Sequence, residues 1–507
     1  MTSFGGFTSQ QLRVRLSLPI LIPTAIIASL LCYIAFNLIH RHILGQRTNR
    51  LPYPPGPPSP SLLLGHYGKV PMKKPWFDYM EMGKTYGELI YFRSLWQNII
   101  VINSAEATYE IMEKQARITS DRPFGNALDR LLARRTFHQN FRSEAVVRFH
   151  PVQTEKIHKF LESLIELSES SCSDKQSHSD ELVNYISTLS QGIMIKSIYG
   201  IEIQSATNEA LPKAAREFAD LVEQSLLPGG STYRSIPFVL SKFARVQKNT
   251  KETWDIVREE PFKEAMKAWK SGNRSSLVGE LISQNDAHGG SVEEVDGIKS
   301  MGSTAIAEVQ SKAQEELDRV LGSGRVPNFK DRKHLPYVEA IYREVMRWHP
   351  AIPFGFPHKS TEDMTYKGYF IPKGTVLHAN IWAITHNPDQ YTSPEKFIPE
   401  RYLNKDGSFN ETHMNINTID AYGYGRRVCV GRHVADATLW LTMASVLATM
   451  NVSRVCGGES DSEVWDVEKY YTDSSLCHPH MIPGCKVEPR FSKNDLEMML
   501  DQGRNEY

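Results

Sequence analysis

The chain has 507 residues, with 58 basic and 58 acidic side chains, and 41% of its residues are hydrophobic. Balanced charge removes the basic surplus that nucleic-acid binding relies on, and the length suffices for several domains or for one large, mainly helical cooperative unit. Six cysteines, Cys32, Cys172, Cys429, Cys456, Cys477 and Cys485, follow neither zinc-site spacing nor a disulfide framework, which points to a reducing, cytosol-facing compartment.

Residues 16–39 carry no formal charge. The stretch exceeds the about 20 apolar residues that span a bilayer, and no small-residue cleavage site follows, so it reads as an uncleaved membrane anchor. Arg13 and Arg15 precede it, and Arg41, Arg47 and Arg50 follow. The slight excess after the span puts the main domain on the cytoplasmic side. Leu51-Pro52-Tyr53-Pro54-Pro55-Gly56-Pro57-Pro58 is a stiff extended segment, because proline fixes φ and lacks an N–H. Residues 76–86 have a helical pattern. Residues 89–92 and 98–102 are rich in β-formers and read as a hairpin closed by polar turn residues. Ser104 then caps a helix that runs to Lys114.

Residues 144–270 read as a series of amphipathic helices, broken by a polar loop at 168–179 and by Pro228-Gly229-Gly230. Asn273, Asn410 and Asn451 head glycosylation triplets by letter, which stay unmodified on a cytosolic face. Residues 336–348 form a helix with Val338, Ile341 and Val345 on one stripe, while Glu344 and Arg347, at i and i+3, share a face. Residues 365–380 alternate around Pro372-Lys373-Gly374 like paired short strands.

The most informative stretch is Tyr422-Gly423-Tyr424-Gly425-Arg426-Arg427-Val428-Cys429-Val430-Gly431. Glycines allow positive φ and close approach of backbone to a flat ligand. The two arginines supply charge-assisted donors for carboxylates, and adjacent positive charge favours a thiolate. The apolar run at 434–452 reads as a helix whose N-terminus points its dipole at that sulfur. Together these features suit a thiolate bound axially to a haem iron, with propionates held by arginine. Taken alone, the cysteine also fits a buried free thiol on a turn.

This stretch resembles the haem-binding signature F-G-x-G-x-R-x-C-x-G of the cytochrome P-450 superfamily of haem-thiolate monooxygenases, with Tyr422 in place of Phe. The resemblance extends from the anchor to Arg490 and is closest to fungal microsomal members. It implies a mainly α fold with a small β-rich lobe, with residues 1–50 as N-terminal transmembrane anchor and basic flank. Residues 51–507 are then the monooxygenase domain, with a Pro-rich hinge at 51–60. It implies haem b ligated by Cys429, propionates held by Arg427 and His358, and close backbone approach at Gly423, Gly425 and Gly431. Glu344-Val345-Met346-Arg347 resembles the family's E-x-x-R, which with Arg401 makes a structural triad that fixes the segment beneath the haem. His433, one turn beyond Cys429, is not read as a second ligand, since the iron's other face stays open for oxygen.

Two stretches are shorter than the family's. The helix after Ser120-Asp121-Arg122-Pro123 places Arg134 on the arginine of W-x-x-x-R, a propionate partner, but Arg130 stands where tryptophan is expected. The central helix over the haem, which carries A/G-G-x-D/E-T-T, has only residues 297–307 to form it, roughly 16 Å of helix. No acid immediately precedes Ser303-Thr304, which read as helix-start residues. Residues 473–476 resemble a hairpin tip that enters the substrate pocket. The implied activity is oxidation of a small apolar secondary metabolite, a terpenoid, polyketide or alkaloid. It would use O2 and electrons from NADPH through a separate NADPH–haemoprotein reductase, on the cytosolic face of the endoplasmic reticulum. The alternatives are a haem-binding protein without oxygenase activity and a haem-thiolate isomerase or dehydratase.

Overall fold

The computed structural model describes residues 51–61, 64–67, 70–71, 73–95, 97–123, 141–169, 175–203, 309–322, 324–454 and 485–505, with Ser29 and Cys32 alone from the segment before them. Its α-helices are α1 Pro75–Tyr86, α2 Ala105–Thr108, α3 Ala116–Thr119, α4 His150–Glu169, α5 Lys175–Tyr199, α6 Gln310–Leu321, α7 Pro336–Trp348, α8 Ile381–Thr385, α9 Arg432–Thr449 and α10 Lys493–Asn505, and a single helical turn, Ser143–Val146, precedes α4. Its strands are β1 Leu89–Ser94, β2 Gln97–Ile102, β3 His358–Lys359, β4 Met364–Tyr366, β5 Tyr369–Ile371, β6 Val376–Ala379, β7 Met450–Arg454 and β8 Cys485–Pro489. Among the described residues, no helix is long and apolar enough to cross a membrane. The anchor expected at 16–39 lies outside them, apart from Ser29 and Cys32. So do Arg134, residues 297–307 and residues 473–476.

By compactness the chain divides into two units, Met1–Tyr53 with Thr365–Ile371, and Pro54–Met364 with Pro372–Tyr507. In the first, the Phe370 N–H donates to Pro52 O at 2.7 Å, and the Tyr53 and Phe370 rings lie 5.9 Å apart. In the second, the mixed sheet has the order β1-β2-β6-β3. β1 and β2 pair antiparallel from Leu89 opposite Ile102 to Ser94 opposite Gln97. The turn between them starts at Leu95, apolar and at φ 53°, not at a polar residue as expected, because the ladder consumes Arg93, Ser94 and Gln97. β6 lies parallel to β2, Ile99 opposite Val376, and β3 closes the sheet antiparallel to β6. Strand pairing across Pro372-Lys373-Gly374 is thus corrected. The hairpin of that region is β4–β5, turned at Lys367 and Gly368, whose φ values of 43° and 82° match the left-handed pair of a tight hairpin turn. Pro54 to Pro57 lie along β1, where Pro55 O accepts from the Tyr91 N–H at 2.8 Å.

Ser104 caps α2 as its hydroxyl accepts from the Ala107 N–H, but the helix then widens to a π segment, Tyr109–Lys114, before α3. The polar loop expected at 168–179 is shorter, since α4 runs to Glu169 and α5 resumes at Lys175. The main core joins α4, α6, α7, α9 and α10 through Leu161, Leu317, Val338, Trp440, Leu441 and Leu496. Each large side chain buried in this way contributes about 1.5–3 kcal/mol. α7 starts with Pro336, whose missing N–H costs nothing at a helix start. The next two N–H groups, of Tyr337 and Val338, donate to the buried Glu316 carboxylate of α6 at 3.0 and 3.1 Å. α9 buries Val434, Ala437, Trp440, Leu441, Ala444 and Ala448, one helical stripe. It ends at Thr449, where the chain turns into β7 instead of continuing as helix to 452.

Candidate active site

α7 and α9 carry the two halves of the site. On α7 the carboxylate of Glu344 is fully buried. Its Oε2 accepts from Arg347 Nε at 2.8 Å. Its Oε1 accepts from Arg347 Nη2 at 2.8 Å, from Arg401 Nε at 3.1 Å and from the Ile398 backbone N–H at 2.8 Å. Arg347 also donates to the carbonyls of Thr385, Pro394 and Lys396. Arg401 donates to those of Thr392, Ser393 and Lys396. The three residues come together as one charged node that ties the 392–401 backbone to α7, not as an exposed helical pair.

The stretch before α9 forms a closed loop in which the Cys429 N–H donates to Tyr422 O at 2.8 Å. Gly423 and Gly425 sit in the left-handed region, at φ 77° and 62°. Gly431 does not, at φ −83°. A Cβ on Gly425 would lie 2.1 Å from Met112 O, so here the close approach is to the π segment, not to a flat ligand. The same π segment supplies Glu113, whose Oε1 accepts the Gly425 N–H at 2.5 Å. Gly423 and Gly431 have nothing within 4 Å of an added Cβ, so the loop has open space beside the cysteine.

Cys429 is a free, partly buried thiol. Burial pushes its pKa above the ordinary value, against the opposing pull of the Gly431 backbone N–H and the Arg432 guanidinium. The acting cation is Arg432, whose Nη1 donates to Cys429 O at 3.1 Å. Arg427 instead directs its Nε to Ser120 O at 2.5 Å. The buried His358 places its Nδ1 2.9 Å from Thr119 O. Two successive carbonyls at the end of α3 therefore orient Arg427 and His358, a link the sequence does not signal. Burial, helped by Arg432, holds half-buried His433 below the ordinary imidazole range, against the pull of Asp436 and Glu144.

Three further groups support the loop and escape sequence reasoning. Arg332 is bidentate to Asp436 of α9, at 2.5 and 3.0 Å, and to Glu339 of α7, at 2.8 and 3.1 Å. Arg343 donates to Glu339 at 2.9 Å and to Met414 O at 3.1 Å. Tyr342 of α7 meets Tyr422 hydroxyl to hydroxyl at 2.9 Å. Each would read as a helix-surface or core residue by spacing alone.

A soft thiol donor on a loop with open space at Gly423 and Gly431, together with a guanidinium and an imidazole that lie on adjoining carbonyls, is a donor set that fits an iron porphyrin bearing carboxylates. The sequence profile described as Cytochrome P450 matches residues 54–298 and 307–462. Cytochrome P450 monooxygenase COX1 of Coprinopsis cinerea is 33% identical over 456 residues, covering 80% of this chain and 85% of the relative. COX2 of the same fungus is 32% identical, over 81% of this chain and 85% of the relative. Cytochrome P450 monooxygenase claR of Ampulloclitocybe clavipes is 28% identical, over 90% of each chain.

Proposed function

The chain belongs to the cytochrome P450 family, and from that premise we propose that it is a membrane-anchored haem-thiolate monooxygenase of the endoplasmic reticulum that oxidises a small apolar secondary metabolite. In this reading Cys429 would hold the iron of haem b, while Arg427, His358 and, by the sequence alone, Arg134 would take the propionates, with open space for the group at Gly423 and Gly431. Haem bound by a thiolate supplies the oxygen-activating chemistry. The chain's own residues hold the cysteine loop in place, orient the carboxylate partners and keep the thiol out of bulk water. Electrons come from NADPH through a membrane-bound NADPH–haemoprotein reductase that docks on the cysteine side. The uncharged stretch at 16–39 supports the anchor, and the basic excess after it supports a cytosolic catalytic domain.

The observation that carries the reading is the convergence of the Cys429 loop, Arg427 and His358 on α3 and the π segment. The test is turnover in microsomes that also contain the reductase, supplied with a panel of terpenoid, polyketide and alkaloid substrates under 18O2. NADPH-dependent incorporation of one labelled atom into product is expected. A second reading, a haem-thiolate isomerase or dehydratase, is favoured by the break in the family match at residues 299–306, around Ser303-Thr304. It predicts conversion of substrate with no label and no NADPH consumption.

A further inference from the structure

Tyr422 occupies the signature position where the family carries phenylalanine, so this chain adds a hydroxyl beneath its cysteine loop. That hydroxyl has a partner, the Tyr342 hydroxyl of α7 at 2.9 Å. Both side chains are buried, at 3% and 0% exposure, so neither hydroxyl can exchange its partner for bulk water. Tyr342 is itself held in place. The Arg332 guanidinium lies over its ring at 5.4 Å and that of Arg343 at 5.7 Å. Arg332 is clamped by Asp436 of α9 and Glu339 of α7. A ring tethered at its far end has fewer rotamers open to it and so restrains, without fixing, the backbone that carries it. The Tyr422 carbonyl on that backbone accepts the Cys429 N–H at 2.8 Å.

We propose that Tyr342 is a positioning residue for Cys429 and acts through the Tyr422 hydroxyl and carbonyl. The ionic cluster of α7 and α9 sets Tyr342, Tyr342 sets Tyr422, and Tyr422 holds the amide of the cysteine. The inference rests on the reading of Cys429 as the haem ligand. Loss of either hydroxyl frees the loop and lets the sulfur leave its position more often. The tether is specific to a chain with tyrosine at both positions.

The test compares full-length haem-loaded wild type with Tyr342→Phe, Tyr422→Phe and the double variant, all conservative changes that keep both rings. Three quantities are read: amide hydrogen exchange of the peptide that contains Cys429, the rate at which the thiolate-type band of the reduced carbon-monoxide complex decays on mild heating, and the global unfolding midpoint. Each single variant is expected to raise exchange at the Cys429 amide and band decay by about 2- to 10-fold, the range of one ordinary hydrogen bond. The double variant should match the singles in both, because the two hydroxyls form one link. Its unfolding midpoint should return toward wild type, since no buried hydroxyl is left unpartnered. A purely structural role would make loop protection and band decay follow the midpoint, and that result overturns the proposal. Wild-type exchange and decay in the double variant also overturn it while leaving the haem-ligand reading intact. A wild type with no thiolate-type band overturns both.

Discussion

Removal of the Glu344 carboxylate should be the most damaging single change outside the cysteine loop. Four hydrogen bonds end on it, three from guanidiniums and one from the Ile398 N–H, all between 2.8 and 3.1 Å. Arg347 is 2% exposed by its side chain and Arg401 is 12% exposed, so Glu344→Ala leaves two positive charges side by side in a site that water barely reaches. Breaking a buried pair by deletion of one partner costs about 3–5 kcal/mol, against about 0–1 for an exposed pair. Glu344→Gln keeps an acceptor for the three bonds that share Oε1 and sets an amide NH2 against Arg347 Nε. Its loss should be smaller, about 2 kcal/mol, one charge-assisted bond. Urea unfolding of both variants beside wild type measures this, read as a shift of midpoint at constant slope. A Glu344→Ala chain within about 1 kcal/mol of wild type would refute the reasoning, because it would put the triad on the scale of an exposed pair.

Other expectations follow from local geometry. Gly425→Ala should displace the cysteine loop from the π segment and abolish stable haem binding, since its Cβ would overlap Met112 O at 2.1 Å. Gly423→Ala, with nothing within 4 Å but with φ 77° and ψ −168° in a region almost confined to glycine, should cost about 1–3 kcal/mol of backbone strain and keep its haem, which the absorbance ratio of haem to protein reads directly. Burial pushes Glu202 up, but Lys156, Lys159 and Lys196 outweigh it and hold its pKa at about 2, below the ordinary 4.5. Its stabilisation is therefore complete above pH 4.5 and fades as pH falls toward 2, so Glu202→Gln should flatten the acid limb of a stability–pH profile in that window. Burial raises Asp420 to about 6, opposed by the Tyr424 hydroxyl bond. The folded chain then binds a proton more tightly than the unfolded one, and stability falls as pH rises from 3.8 to about 6. Asp420→Asn should be more stable than wild type at pH 7.5 by on the order of 2–3 kcal/mol, and the gap should close below pH 4.

The regular elements of the second half were legible because their periodicity and their end signals agree. Pro336 opens α7 where a helix tolerates proline, and the stripe of Val338, Ile341 and Val345 faces the core. The β1–β2 hairpin was legible from its β-formers, but not its turn, because Leu95 is apolar and only the ladder register singles it out. The role of residues 376–379 was missed for a related reason. Their alternation suits any strand, and the choice of β2 as partner is made by tertiary packing across more than two hundred residues of sequence. At the site, Cys429 and its glycines announce themselves by spacing. Nothing in the spacing announces Thr119 O and Ser120 O, since a backbone carbonyl has no letter in the sequence. Nor does spacing show that Gly425 is reserved for Met112 O, or that Arg432 donates to the cysteine's own carbonyl. Tyr342 reads as one more core aromatic on α7, and only the tyrosine at 422 hints at its partner.

The central claim is that Cys429 ligates a haem through its sulfur. The most direct test is the reduced carbon-monoxide difference spectrum of the full-length chain beside Cys429→Ala. A thiolate-type Soret band is expected in the wild type and none in the variant. A wild type without that band, or a variant that retains it, would rule out Cys429 as the haem ligand.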